Sequence, residues 1–252
     1  FKFSKAETNV NREVSVTASS AEASKSGENT LKENNGGIWG ISVGDANKMK
    51  DDIYKVLANN KFVDVRALIM TEGKTFKKVN NNELSSALAG KQLNADETTY
   101  INMVVNTINS EAIFKIEYLN YSGTTSAEGT NRINHYFATK GFPSIMTSAG
   151  TVLAATIAIM VGEGLNIPTE NGSHSFVISG IPNITTEQAI TSGHELFGHG
   201  IPSSRRESDT TNNANAIRTD NLIRRLLGLP QRDGADHAGG KVNDPYMLPY
   251  IK

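Results

Sequence analysis

The stretch Ser192-Gly193-His194-Glu195-Leu196-Phe197-Gly198-His199-Gly200 places two of the chain's five histidines around a glutamate, on a segment that is typical of a helix. In a regular α-helix each residue is rotated by about 100° from the one before, so side chains five positions apart point well away from each other. A single π-helical turn, with hydrogen bonds between residues i and i+5, returns such positions to nearly the same face. Gly198 lies inside this interval, and glycine tolerates a distorted backbone at the least steric cost. The two histidines are therefore compatible with one metal ion only if the helix is locally widened.

A glutamate directly after the first of two helical histidines is the arrangement with which HExxH zinc peptidases build their site. There the imidazoles are four residues apart, whereas the pattern here is His-Glu-x-x-x-His. His194 and His199 are the candidate Zn²⁺ ligands. Glu195 is the candidate general base, which takes a proton from the attacking water and passes it to the leaving amine.

Two stretches of the sequence resemble known families. The run from residue 194 to residue 200 resembles the HExxGH motif of the dipeptidyl peptidase III family, whose members are zinc peptidases with this lengthened spacing. Residues 215–232 are similar to the NAIR-x-EN-x-IR…GLP-x-R segment of zincin-type metallopeptidase domains in bacterial Rhs/YD-repeat and effector-type proteins. Together the stretches cover roughly residues 186 to 232. The resemblance implies a zincin-like zinc metallopeptidase that acts on a peptide or protein.

The second stretch predicts a helix that carries the third ligand. Arg, Leu and Ala favour the helix, Gly228 is placed as its terminator, and Pro230 follows where a helix cannot continue. Asp220 shares its face with the apolar residues Ala216, Ile217, Ile223 and Leu227. A carboxylate in that position is costly unless it is paired or binds a metal. The resemblance places the third ligand at Asp220, although the family tends to have the longer Glu there.

Other assignments for these residues stay open. Asp220 has an alternative role as the ion-pair partner of Arg224 at i+4, or of Arg205 or Arg206. Glu207 and Asp209 are competing third ligands, in a stretch from 201 to 211 that is interpreted as a solvated loop. His237 is a further candidate, either as a ligand or as a donor to the oxyanion. Tyr246 and Tyr250 are chemically able to serve as that donor too, and the sequence does not rank the three.

The remaining sequence predicts an α+β fold with a metal-binding helix pair and a mixed or antiparallel sheet. Residues 45–57 and 97–108 have the pattern of amphipathic helices, and a capping box from Thr185 to Gln188 predicts that the active-site helix starts near 186. Strand-like runs occur at 62–70, 112–119, 151–161 and 174–179, with a buried helix as the alternative for 151–161. The run at 174–179 is either the candidate edge for an extended substrate or a core strand. Residues 121–134 are interpreted as a loop.

Composition separates a polar N-terminal extension or linker, residues 1–37, from a domain over 38–252. A net charge of −1 gives no electrostatic argument for nucleic acid, and no apolar run reaches the ~20 residues of a membrane helix. The absence of cysteine excludes disulfides, a thiolate zinc site and a cysteine nucleophile. Because the chain begins at Phe1, we expect a processed protein or part of a longer polypeptide. The resemblance favours secretion or export from a bacterium over a cytoplasmic location.

Two rival functions follow from the same residues. The first is a non-catalytic interaction module that retains the zincin-like fold, with or without zinc. In the second, the zinc is purely structural and requires a fourth protein ligand in place of the open position that a catalytic site keeps.

Overall fold

The computed structural model describes residues 36–120, the backbone of strands 144–147 and 150–153, and residues 164–179, 186–235 and 240–250. The predicted extension over 1–37 therefore lies almost entirely outside the described residues, as does the predicted loop at 121–134. The domain boundary stays a prediction.

Most described strands belong to one six-stranded sheet in the order β2-β3-β1-β4-β8-β7, and β5 and β6 form a separate antiparallel pair. The strands are β1 (Gly37–Gly40), β2 (Thr71–Glu72), β3 (Thr75–Phe76), β4 (Ile113–Asn120), β5 (Ser144–Thr147), β6 (Gly150–Leu153), β7 (Gly164–Thr169) and β8 (Gly172–Ser179). β4 is parallel to both β1 and β8, whereas β7 is antiparallel to β8. The expectation of a mixed sheet in an α+β chain is confirmed.

The N-terminal helices are α1 (Val43–Val56), α2 (Val63–Leu68), α3 (Asn81–Leu88) and α4 (Ala95–Asn109). The predicted helices at 45–57 and 97–108 correspond to α1 and α4. Each begins with a capping box, in which the N-cap side chain and the N3 carboxylate satisfy each other's backbone amides. The two pairs are Ser42 with Asp45 and Asn94 with Glu97.

The C-terminal helices are α5 (Gln188–Gly193), α6 (Gly200–Ser204) and α7 (Asp209–Leu227), and the π-helical turn His194–His199 joins α5 to α6. Ser208 caps α7 by accepting a hydrogen bond from the amide of Thr211, and Gly228 ends the helix in the left-handed conformation at φ 69°. Glycine adopts that conformation without a steric penalty, so the predicted terminator at Gly228 is confirmed.

A buried apolar cluster connects the sheet to these helices. β4 supplies Phe114, Ile116 and Tyr118, which alternate with more exposed residues and so share one face of the sheet. The cluster also includes Ile53 of α1, Ile101 of α4, Ile190 of α5 and Leu222 of α7. Phe197 of the π turn packs edge-to-face on Tyr100 of α4, with ring centroids 6.3 Å apart. The π turn is therefore anchored in the core.

Most of the predicted strand at 62–70 is instead helix α2, residues 63–68. Asn59 caps a short 3₁₀ turn (Asn60–Phe62) that leads directly into α2. Phe62, Val65 and Ile69 are buried, and their spacings of three and four are helical. The β-branched content of the segment suggested a strand, but tertiary packing selected the helical period.

Three predictions in the C-terminal half also need correction. The active-site helix begins at Gln188 with Glu187 as an N-cap that makes no side-chain bond, and Thr185 lies outside the described residues. The stretch from 201 to 211 is largely helical, since α6 extends to Ser204 and α7 begins at Asp209. Strand 174–179 lies within β8, which has β4 on one side and β7 on the other, so it is not an edge. Of the predicted strand at 151–161, the described part belongs to β6.

None of the helices in the described residues has both the length and the apolar character needed to cross a membrane.

Candidate metal centre

The helix that carries the two histidines widens where their spacing requires it. The backbone stays helical from Gly193 through Gly200, and the amide of Gly200 bonds to the carbonyl of Glu195, five residues earlier. This bond defines a π turn, so the local widening that a shared metal site would require is present. The ring centroids of His194 and His199 lie 4.8 Å apart with the ring planes at 81°. Both imidazoles therefore lie on the same side of the helix.

Asp220 of α7 is close to this histidine pair. Its side chain is 1% exposed, and Oδ2 lies 3.7 Å from Nδ1 of His194. α7 supports this position through Ala216, Ile217 and Ile223, which are buried on the face that the sequence predicted. The structure thus brings the three predicted ligands into one neighbourhood.

The carboxylate of Asp220 also has two guanidinium partners. Arg224, one turn further along α7, donates to Oδ1, and Nη1 of Arg232 lies 2.9 Å from Oδ2. The alternative pairing with Arg224 is therefore present, whereas Arg205 pairs with Glu207 at 3.8 Å. A carboxylate has about four lone-pair sites, so two guanidinium bonds still leave acceptor capacity toward the histidines.

The donor set is of the kind that zinc uses, namely two imidazoles and a buried carboxylate. Across the part of the chain that the structure describes, no three His, Cys, Asp or Glu side chains are grouped so that they could hold a metal ion. Zinc binding at His194, His199 and Asp220 consequently stays a prediction.

Glu195 lies between the helix and β7. It is 5% exposed, and a Cβ added at Gly164 would lie 2.6 Å from its Cγ and 2.7 Å from its Oε1. That Cβ would also lie 2.8 Å from the carbonyl oxygen of Phe176, so the first residue of β7 is packed closely against both the glutamate and the neighbouring strand. β7 is the edge strand beside β8 in the described sheet.

Three asparagines donate to backbone carbonyls of the π turn. Asn166 of β7 donates to the carbonyl of Glu195 (3.3 Å), Asn212 to that of His199 (3.4 Å), and Asn215 to that of Gly198 (2.9 Å). The bond from Asn215 compensates for a proline in the helix. Pro202, four residues after Gly198, has no N–H with which to make the usual helical bond. Asn215 of α7 supplies the donor instead.

Small residues allow α7 and β8 to approach the turn. A Cβ at Gly198 would lie 2.8 Å from Cα of Ala216, and one at Gly200 would lie 2.9 Å from Oγ of Ser173. The need for glycine at 198 therefore comes from this close packing, and no positive φ is involved. Gly193 is similarly constrained, because its Cβ would lie 2.1 Å from Cδ1 of Ile223.

The sequence interpretation missed Asn166, Ser203, Asn212 and Asn215. One signal was available on α7, whose first half reads Asp-Thr-Thr-Asn-Asn-Ala-Asn. Asparagine is unfavourable inside helices because its amide competes for backbone groups. Several asparagines in one helix therefore indicate side chains that bond outside it.

The candidate oxyanion donors differ in position. His237 lies outside the described residues. Tyr246 is 57% exposed, and its carbonyl accepts from Arg225, which itself pairs with Asp96 of α4. The amide of Tyr250 donates to Oδ1 of Asn215 at 2.7 Å, and Asn215 also binds the π turn. The side chain of Asn215 therefore connects the backbone of Tyr250 to the π turn.

The competing third ligands are accounted for in other ways. Glu207 faces Arg205, and Asp209 is an exposed residue in the first turn of α7.

A buried carboxylate supports α5 from the opposite direction. Asp52 of α1 accepts hydrogen bonds from the Tyr118 hydroxyl (2.7 Å) and from Nε2 of Gln188 (3.1 Å). Loss of hydration on burial raises the pKa of Asp52, although the hydrogen bonds from Tyr118, Ser192 and Gln188 act in the other direction. Burial likewise raises the pKa of Tyr118, and the neighbouring Asp52 adds to the effect.

No protein-family model matches the chain, no curated protein does, and no solved structure does.

Proposed function

We propose that this chain is a zinc-dependent peptidase in which His194, His199 and Asp220 hold the metal and Glu195 is the general base. The observation that carries the proposal is the π turn, which brings the two imidazoles to a centroid distance of 4.8 Å in a helix whose sequence spacing would otherwise separate them. π turns are rare and are found mostly at functional sites.

Each residue has a role that its position supports. Zinc, when bound, supplies an acidified water and polarises the peptide carbonyl. Glu195 directly follows His194, and its buried carboxylate lies against β7, where it accepts the proton and later returns it to the leaving amine. The donor to the oxyanion is one of His237, Tyr246 and Tyr250.

The substrate is an extended peptide or a segment of a protein. β7 is the edge of the described sheet next to Glu195, and an extended chain can add to such an edge through backbone hydrogen bonds. The zincin-like fold, export from a bacterium and attachment to a longer polypeptide are further parts of this proposal, and they rest on the sequence resemblance alone.

Metal content is the first test. The protein is stripped with a chelator, incubated with zinc, desalted and subjected to elemental analysis beside His199→Ala. We expect about one zinc per chain in the unaltered protein, and its loss when one of the imidazole ligands is removed. Equal metal content in the two proteins, or none in either, would contradict the proposal.

A non-catalytic module with the same fold is the second candidate. The two guanidinium partners of Asp220 favour it, because they already neutralise the carboxylate without a metal. Asp220→Asn separates the peptidase from a module that binds no zinc, and a module that keeps zinc is distinguished from the peptidase by the absence of peptide hydrolysis. In the peptidase this change lowers zinc content, whereas in the module without zinc it leaves metal content unchanged and lowers only stability. A purely structural zinc would instead give full metal content without hydrolysis of any peptide.

A further inference from the structure

Asn212 of α7 contacts the ring of His199 at the end of a chain of hydrogen bonds that begins on β7. Asn166 donates from Nδ2 to the carbonyl of Glu195, and Oγ of Ser203 lies 2.9 Å from Oδ1 of Asn166. Nδ2 of Asn212 lies 3.0 Å from Oγ of Ser203, and Oδ1 of Asn212 is in contact with Nδ1 of His199.

The two backbone carbonyls determine the direction of every bond in this chain, because a carbonyl can only accept. The carbonyl of Glu195 requires the NH₂ group of Asn166, so Oδ1 of Asn166 is left to accept from Ser203. Ser203 has then donated its only proton and must accept from Asn212. The carbonyl of His199 independently requires the NH₂ group of Asn212. The atom of Asn212 that faces the ring is therefore its oxygen.

An amide oxygen has no proton to donate, so Nδ1 of His199 must carry one. In the neutral ring Nε2 then has a lone pair, which is the form in which imidazole binds a metal. We propose that Asn212 is a positioning residue, which holds His199 as the Nδ1–H tautomer and directs its Nε2 to zinc. The statement that Nε2 is directed to zinc rests on the proposed function, whereas the assignment of the Nδ1–H tautomer does not.

Asn212 is suited to this role because its own orientation is fixed. Its NH₂ group is occupied by Ser203 and by the carbonyl of His199, so rotation of the amide would break both bonds. Ser203 is 5% exposed, so few waters can replace it as a partner. Residues that orient a metal-binding imidazole typically contribute about 10- to 100-fold to metal affinity or activity.

The test compares Asn212→Ala with Asn212→Asp, which keeps an oxygen acceptor near the ring, and with Asn213→Ala as a matched control one position along the same helix. Long-range ¹H–¹⁵N spectra of the metal-free proteins at mildly alkaline pH report the tautomer, and a His199→Gln spectrum assigns the signal. We expect Nδ1–H in the unaltered protein, in Asn212→Asp and in Asn213→Ala. In Asn212→Ala we expect a shift toward Nε2–H.

Zinc affinity is measured on the same proteins by competition with a chromophoric chelator. Asn212→Ala should weaken binding by about 10- to 100-fold, and Asn212→Asp should restore most of the loss. A tautomer that does not respond to Asn212→Ala, together with unchanged affinity, overturns the positioning role and leaves the zinc site intact. A tautomer that depends on Asn212 in a protein that binds no zinc supports the assignment at His199 and overturns the proposed function.

Discussion

Buried polar side chains occur both in the N-terminal helices and around the π turn, but their partners differ. Asp45 and Glu97 close the first turns of their own helices, although Asp45 also accepts from the amide of Tyr118 and Glu97 also pairs with Lys61. Thr107 donates to the carbonyl of Met103, four residues earlier in the same helix. Around the π turn, Asn166 and Asn215 reach the carbonyls of a different element. A regular helix needs partners only at its ends, whereas a widened turn with a proline after it needs them in its middle.

This difference has a consequence for mutagenesis. A local cap can be removed with a loss of about 1 kcal/mol, because water replaces much of what it provided. A bond between elements inside the core has no such replacement, and its loss leaves a buried group without a partner. Pairs of variants of the same residue type, one in the N-terminal helices and one around the π turn, therefore test whether the side chains around the π turn serve a functional site.

The largest contrast is expected between two buried glutamates. Glu195→Gln should reduce peptide hydrolysis by at least about 100-fold while zinc content and stability are retained, because this glutamate is not a ligand. Glu97→Gln should lower stability and leave peptide hydrolysis and zinc content unchanged, because Glu97 caps α4 and pairs with Lys61 at 2.6 Å. Peptide hydrolysis, elemental analysis and urea unfolding measure the three quantities. Full hydrolysis by Glu195→Gln would remove the general base from the proposed mechanism.

Two helical glycines give the next contrast. Gly198→Ala places a methyl group 2.8 Å from the backbone of Ala216, which cannot move without displacing α7. We expect a loss of about 1–3 kcal/mol, typical of overpacking, together with weaker zinc binding. Gly44→Ala in α1 meets only Oγ of Ser42 at 3.5 Å, so it should be neutral or stabilising by up to about 1 kcal/mol. Thermal unfolding distinguishes the two, and equal effects would show that α7 is not held closely on the turn.

Asparagines provide a third pair. Asn215→Ala removes the donor that replaces the missing N–H of Pro202, and it leaves the Gly198 carbonyl buried without that bond. We expect a loss of about 1–3 kcal/mol. Asn94→Ala removes only the N-cap of α4, where about 1 kcal/mol is typical. Urea unfolding of both variants gives the comparison, and a smaller loss for Asn215→Ala would show that water reaches the Gly198 carbonyl.

The same distinction explains which features could be predicted from the sequence. Helices α1 and α4, strand β4 and the Gly228 terminator follow from local patterns. The widened turn was expected only on the condition that His194 and His199 share one metal ion. Asn166, Ser203 and Asn212 could not be found in this way. They are far apart in the chain, and they meet only because β7, α6 and α7 pack around one turn.

Helix α2, within the predicted strand at 62–70, illustrates the opposite failure, in which the local pattern suggested the wrong element. Its β-branched residues favour a strand, but the capping side chain of Asn59 and the burial of Val65 and Ile69 produce a helix.

At Asp220 the family likeness and the i+4 rule pointed to different partners. The structure places the carboxylate near both His194 and Arg224, so only measured metal content decides between them.

Asp52 connects α1 to two other elements, since it bonds to Tyr118 of β4 and to Gln188 of α5. Its substitution is expected to have the smallest effect of the series. Burial raises its pKa above the ordinary value of 3.8. The folded chain therefore holds this proton more tightly than the unfolded chain does. The resulting stabilisation is full below pH 3.8 and is lost as the pH rises through the raised pKa.

Asp52→Asn is neutral at every pH, so we expect it to increase the free energy of unfolding at neutral pH by about 1 kcal/mol or less. It should also remove this part of the pH dependence, as measured by urea unfolding from acid to neutral pH. Asp51→Asn, at the neighbouring exposed position, is the control. A loss of stability at neutral pH would mean that the charged carboxylate is held favourably by Tyr118 and Gln188. In that case α1 would support α5 through an ionised bond, as the asparagines support the π turn through neutral ones.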